Sequence, residues 1–264
     1  MPELEHRELE KRNSAFAFFD LDGTLTQGNT TVFFAKYLFE QNVIGDEAWK
    51  KIHEDVKQYE ESNKEHTAYR KFAIDILGHF AQSLSGVSVQ CVRECAQMFI
   101  AEALQGKIDG YKIHDFSRLL VNKISEVSVP VVISGSPREV VEPLTNYLGV
   151  EARFTFTTEF LQVEGCYFGG VERNLALDEE KALVLQEIIS GGVDQSSSFA
   201  FGDSEHDLPL LECVDHSFVL GSNNKLHEVA SQRGYSIHVE GDGVLVKVDE
   251  RIMGILQSKN ESNS

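Results

Sequence analysis

The chain has 264 residues, 42% of them apolar, enough for one large domain or two smaller ones with a sizeable core. Its 42 acidic against 24 basic residues leave a net charge of −18, which excludes nucleic-acid backbones and anionic membrane surfaces as partners, since both need a basic face. An anionic substrate must therefore be met locally, by a cation, a lysine or helix N-termini. The opening MPELEHRELEKRNS is charged and lacks the apolar stretch of a secretory signal, and no run approaches the ~18 apolar residues of a membrane span. Cys91, Cys95, Cys166 and Cys213 form no Cys-x-x-Cys pair and read as free thiols packed as small hydrophobes, which suits a reducing compartment. The expectation is a cytoplasmic protein without a membrane span, either monomer or homodimer.

Residues 15–19, AFAFF, form a short apolar run that suits a strand buried on both faces, and the run ends in Asp20 and Asp22. From about 30 to 110 the chain has no proline, is rich in Glu, Gln, Lys, Ala and His, and carries helical periodicity; it reads as a helical insertion. VPVVIS (129–134) is a second buried strand, ending at Ser134. Ser136 is a candidate N-cap and Pro137 a candidate first residue for a helix that runs past Pro143, where it should bend, to Gly149. EFLQVEGCYFGG (159–170) alternates about Glu164-Gly165 as a β-hairpin. A helix after Asp178, its candidate N-cap, closes at Gly191-Gly192. SSFAFGD (197–203) is the third buried strand, ending at Asp203; FVLG (218–221) is a fourth strand and 224–232 a helix. Strand alternating with helix predicts an α/β fold with a doubly wound, Rossmann-like parallel-sheet core. The predicted division is a core of 14–28 plus 111–245, a helical cap of 29–110, and tails at 1–13 and 255–264.

Two carboxylates one residue apart repel, so Asp20 and Asp22 call for either a solvated turn or a charged partner, a metal or a phosphoryl group. An EF-hand fits poorly: DLDGTLTQGNTT puts Leu25 where the loop needs glycine and Thr31 where it needs glutamate. In open α/β sheets ligands bind outside the carboxyl ends of the strands, so neighbouring strands would bring Asp20, Asp22, Ser134 and Asp203 to one place. The histidines form no His-x-x-x-His pair, which gives a zinc site little support.

DLDGT, then SGS, then a lysine, then GDSEHD resembles the four ordered motifs of the haloacid dehalogenase superfamily of phosphohydrolases. The helical insertion after the first motif is similar to the phosphoserine-phosphatase-like branch, and FFDLDGTLT and SGSPREVVEPL to its subfamily IB; the resemblance covers about residues 14–240. It implies a Mg²⁺-dependent phosphomonoester phosphatase acting on a small phosphorylated metabolite. Asp20 would be the nucleophile, giving an aspartyl-phosphate, and Asp22 the general acid and then base. Asp20, Asp203 and the backbone carbonyl of Asp22 would hold Mg²⁺. Lys181, which alone among lysines lies between Lys123 and Lys225, would neutralise the attacking carboxylate and phosphoryl oxygens. Ser134, Gly135 and Thr24 would contact the phosphate, and Asp207 would support the lysine or a metal-bound water; its alternative is a helix N-cap.

Two positions depart from phosphoserine phosphatases. Asn29 stands where they carry a glutamate that reads the substrate, and His206 where they carry asparagine. Both weaken phosphoserine as substrate, and both positions are candidate substrate contacts; His206 reads equally as a polar helix-start residue. Arg70 and Lys71 are either readers of an anionic substrate or a solvated helix face. Phosphoryl transfer to a second alcohol, and a receiver module phosphorylated on aspartate, are the alternative functions.

Overall fold

The computed structural model describes residues 14–62, 66–221, 224–237, 244–245, 247–248, 250, 252 and 254; both tails, and residues 238–243 of the expected core, lie outside the described residues. The chain opens with β1 (Phe16–Phe19) and a short β2 (Thr26–Gln27). Four helices follow: α1 (Thr30–Glu40), α2 (Asp46–Glu61), α3 (His66–Ser83) and α4 (Val89–Leu104). After them come β3 (Lys112–Ile113), α5 (Ser117–Ile124), β4 (Val129–Pro137), α6 (Arg138–Leu148) and the hairpin β5 (Thr155–Val163) with β6 (Cys166–Arg173). The remainder is α7 (Asp178–Ser190), β7 (Phe199–Gly202), α8 (Leu208–Leu211), β8 (His216–Val219), α9 (Asn224–Arg233) and β9 (Ser236–Ile237).

Seven strands form one sheet in the order β6-β5-β4-β1-β7-β8-β9, parallel except for β6. The chain leaves β1 toward β4 on one side and returns to β7 on the other, so the winding reverses at β1. The crevice at such a reversal is where an open α/β sheet binds ligands. β1 shows why its sequence is apolar throughout. Phe16 and Phe18 pack into the layer of α7, α8 and α9, with Val184, Leu211 and Leu226, while Ala17 and Phe19 face the opposite layer.

That opposite layer also contains the helical insertion. One continuous apolar cluster runs from Phe19 and Val132 through Leu144 of α6 to Phe34, Phe80 and Phe99 of α1, α3 and α4. Phe80 meets Phe160 of the hairpin edge-on at 5.6 Å, and Phe99 packs on Phe34, Tyr37 and Tyr111. Where the chain enters and leaves the insertion, β2 and β3 pair antiparallel, Thr26 opposite Ile113.

Several local expectations shift. β4 continues through Ser136 to Pro137, which pairs with Thr158, so the next helix starts at Arg138 and Ser136 is no N-cap. A proline without an N–H can end a strand as readily as it starts a helix. The helix passes through Pro143 and stops at Gly149, at φ 93°. α7 is flanked by Leu177, and Asp178 lies inside its first turn with Glu179 and Glu180, where acids favour the helix dipole. Glu164 and Gly165, both at positive φ, turn the hairpin as expected, though β5 begins earlier than its alternation suggests. All four cysteines are free thiols, and no described helix is long and apolar enough to cross a membrane.

Phe99 is fully buried and joins the insertion to the sheet layer. Phe99→Ala should cost about 3–5 kcal/mol in chemical denaturation, in one cooperative transition. Two separated transitions would contradict a shared core.

Candidate active site

β1 and β7 are adjacent parallel strands, so the residues that follow them emerge side by side. Asp20 extends the ladder, its amide donating to the Phe201 carbonyl at 3.0 Å. Asp203 follows β7, and Gly23, at φ 95°, crosses directly against it: a Cβ there would overlap the Asp203 carboxylate. Thr24 donates to Asp203 Oδ1 at 3.3 Å. Gly202 is equally constrained, since a Cβ would lie 2.5 Å from that of Asp207.

Lys181, near the start of α7, is 5% exposed, and its ammonium lies 2.8 Å from Asp20 Oδ1 and 3.0 Å from Asp207 Oδ1. The other oxygen of Asp207 accepts the amides of Asp203 and Ser204 and the Ser204 hydroxyl, at 2.9–3.1 Å. Asp207 therefore holds the lysine, and its carboxylate makes no N-cap bond to α8. Burial opposes its charge, yet Lys181 and the Ser204 donors hold its pKa below the usual carboxylate range. Burial alone would also lower the lysine, but Asp20 and Asp207 raise it, so it stays charged.

The acids around it are not neutralised. Oxygens of Asp20, Asp203 and Asp207 lie within 4.8 Å of one another with one ammonium among them. Burial and then Asp207 push Asp20 up to about 8 against the pull of Lys181. Asp203 is pushed well up by burial, Asp207 and Asp20. Two carboxylates ~4 Å apart repel by about 4 kcal/mol at an effective dielectric near 20. A hard divalent cation fits this donor set of carboxylate oxygens.

Asp22 points elsewhere. Its Oδ1 accepts the Thr30 amide at 2.9 Å and the Thr30 hydroxyl, and its Oδ2 accepts the Ser136 hydroxyl at 2.7 Å. Burial raises its pKa, opposed by the Thr30 and Ser136 hydrogen bonds. Its carboxylate is thus separate from the three-acid cluster, which leaves the backbone carbonyl as its route to a metal. Ser134, 1% exposed, accepts the Ser136 amide at 3.1 Å. The Gly135 carbonyl accepts from Thr158 at 2.7 Å, and a Cβ on Gly135 would lie 2.8 Å from Ala176, so this loop tolerates only glycine there without moving.

The remaining candidates divide. Asn29 is exposed and caps α1, its Oδ1 accepting the Val32 amide at 3.0 Å. Arg70 pairs with Glu179 of α7 and Lys71 with Asp75 of its own helix. His206 stacks on Tyr69 of α3, ring centroids 3.5 Å apart, and its Nδ1 lies 3.4 Å from Asp178. Tyr69 also lies within the field of the acid cluster: burial raises its phenol pKa, and Lys181, Asp20 and Asp207 all act on it. No spacing in the sequence distinguishes Tyr69 from its neighbours Arg70 and Lys71. Thr30, Ser136 and Tyr69 form their contacts through the fold alone.

The family profile described as haloacid dehalogenase-like hydrolase matches residues 17–212. The inhibition of morphological differentiation protein of Streptomyces azureus is 29% identical, covering 84% of this chain and 76% of its own. A probable phosphatase of Mycobacterium tuberculosis is 28% identical, over 84% and 74% respectively. Among solved structures, a phospho-aspartyl intermediate analogue of phosphoserine phosphatase superposes with a TM-score of 0.61 at 15% identity, over 90% of this chain and 99% of that one. The family resemblance carried by the four motifs is thus borne out, in sequence and in fold: the chain belongs to the haloacid dehalogenase-like hydrolases.

Proposed function

We propose that the protein is a Mg²⁺-dependent phosphomonoester phosphatase that works through a phosphorylated Asp20 and acts on a small phosphorylated metabolite. The observation that carries this reading is the buried Lys181 bridging Asp20 and Asp207, with Asp203 in the same cluster. The probable-phosphatase name of the mycobacterial relative supports it.

Beside Lys181 and with Mg²⁺ bound, the Asp20 carboxyl would be ionised, and an ionised carboxylate needs no base to attack phosphorus. The P–O bond to the alcohol breaks as the P–O bond to Asp20 forms. Lys181 offsets the charge on the attacking carboxylate and the transferring group. Ser134 and the Gly135 amide would hold phosphate oxygens. Asp22, on the Ser136 side, gives its proton to the departing alcohol and later takes one from the water that cleaves the acyl phosphate. Asp20, Asp203 and the Asp22 carbonyl would hold Mg²⁺, which when bound neutralises part of the negative charge of the acids and the phosphate.

Residues 29–110 would act as a cap over this site. Tyr69 on His206 and Arg70 on Glu179 join α3 to the core beside the site. The four unpaired thiols are in keeping with a cytoplasmic setting.

Hydrolysis of p-nitrophenyl phosphate should require Mg²⁺, and Asp20→Asn should abolish it. Metal-independent turnover, or a fully active variant, would count against the reading. Lys181→Ala should lower kcat by roughly 10²–10³ while the protein stays folded. A pH effect follows from Asp20. Its pKa is raised from 3.8 to about 8, so the folded state binds the proton more tightly and the associated stability is lost as pH rises through that window. Metal-free protein should show a falling Tm across this range, and added Mg²⁺ should raise Tm more at pH 8 than at pH 5. A metal-independent Tm at pH 8 would contradict the assignment of the acids.

A further inference from the structure

Asp22 is held by more groups than a turn acid requires. Its Oδ1 accepts the Thr30 amide at 2.9 Å and the Thr30 hydroxyl, while the Thr26 hydroxyl, 3.4 Å away, is nearer the Leu21 carbonyl at 3.2 Å. Behind Thr30 stands Tyr111, 2% exposed, with its phenol oxygen 3.0 Å from Thr30 Oγ1. A threonine hydroxyl has one hydrogen. With that hydrogen given to Asp22, the Tyr111 phenol must donate and Thr30 must accept. The Tyr111 ring is fixed between Phe33 and Phe99, centroids at 5.6 and 5.1 Å. Thr30 opens α1, and Tyr111 immediately precedes β3, so the two residues sit on the two chain crossings between the sheet and the helical insertion.

We propose that Tyr111 is a positioning residue that acts through Thr30 to orient the Asp22 carboxyl, keeping Oδ1 filled with donors and leaving Oδ2 to handle the proton. The inference rests on the reading of Asp22 as proton donor. The Thr30 amide and hydroxyl occupy both lone pairs of Oδ1, which leaves none free for a proton. Oδ2 has a different neighbour: the Ser136 hydroxyl at 2.7 Å, which has an alternative partner in Thr31 Oγ1 at 2.9 Å and can turn to it. The proton then lies on the side of loop 134–136, where the phosphate would sit and the alcohol would depart. Without the phenol, Thr30 Oγ1 loses its fixed donor, its hydroxyl can rotate, and the carboxyl is no longer locked in one orientation.

Tyr111→Phe keeps the ring and its packing while removing the hydroxyl. The informative quantity is kcat/KM, which covers steps up to departure of the leaving group, along the series p-nitrophenyl, phenyl and ethyl phosphate. An acidic phenol leaves with little help and an alkoxide needs a proton, so the loss for ethyl phosphate should exceed that for p-nitrophenyl phosphate by ~10-fold, part of the roughly 10²–10⁴-fold that general acid catalysis supplies. Thr30→Val should reproduce the pattern and Thr30→Ser should restore it. In an Asp22→Asn background, Tyr111→Phe should add no further dependence on the leaving group. Equal losses across the series, no loss anywhere, or an undiminished effect in the Asp22→Asn background would overturn the proposal. Turnover of none of the esters by the unaltered chain would overturn both it and the phosphatase reading.

Discussion

One ammonium shared by two buried carboxylates organises the site. Lys181 reaches Asp20 from one side and Asp207 from the other, and all three are at most 6% exposed. A buried charge is tolerable only when paired and hydrogen-bonded, and each member of this trio depends on the others. Asp207 meets that condition twice over, through Lys181 and through the donors of residues 203 and 204. Asp20 meets it once, through Lys181. Asp203 adds a third carboxyl group without a cation of its own among the described residues. The cluster is held short of electrical balance by the backbone, through close approaches at Gly23 and Gly202 that admit no side chain.

The helical insertion is tied to this chemistry at two depths. Its apolar interior is continuous with the layer beneath the sheet, through Phe34, Phe80 and Phe99, so most of it is part of one packed body. Among the described residues, its polar contacts with the core come from three places: α3, where Tyr69, Arg70 and the Ala73 carbonyl meet His206, Glu179 and Asn174; residues 86–89, whose backbone bonds to the hairpin; and the start of α1, where Thr30 and Thr31 meet Asp22 and Ser136. The strand pair β2–β3 lies at its base, directly beside the hydroxyls that hold Asp22.

Much of the architecture was legible because parallel strands buried on both faces must be apolar at every position. AFAFF, VPVVIS and SSFAFGD could hardly be anything else, and the acids that end two of them stand out against that background. Asp20, Asp22, Lys181 and Asp203 were readable as a set through motif order, and the fold places three of them in one cluster with Asp207. Local chemistry misled where a distant partner decided the outcome. Ser136 looks like a helix cap, yet its hydroxyl goes to Asp22, 114 residues away. Asn29, expected as a substrate contact, also caps the first turn of α1, a role its spacing did not single out. Tyr69 and Tyr111 are two tyrosines among seven in helical or linker sequence, and only tertiary placement separates them from core aromatics.

The account stands or falls on whether the carboxylate at position 20, paired with a buried lysine, bonds to phosphorus during turnover. Rapid acid quench of the Mg²⁺-loaded protein with a labelled phosphomonoester, followed by peptide mass spectrometry, reads this directly. The predicted result is label on the peptide that contains Asp20, absent in Asp20→Asn. Steady hydrolysis with no label on protein, or with label on another residue, would contradict it.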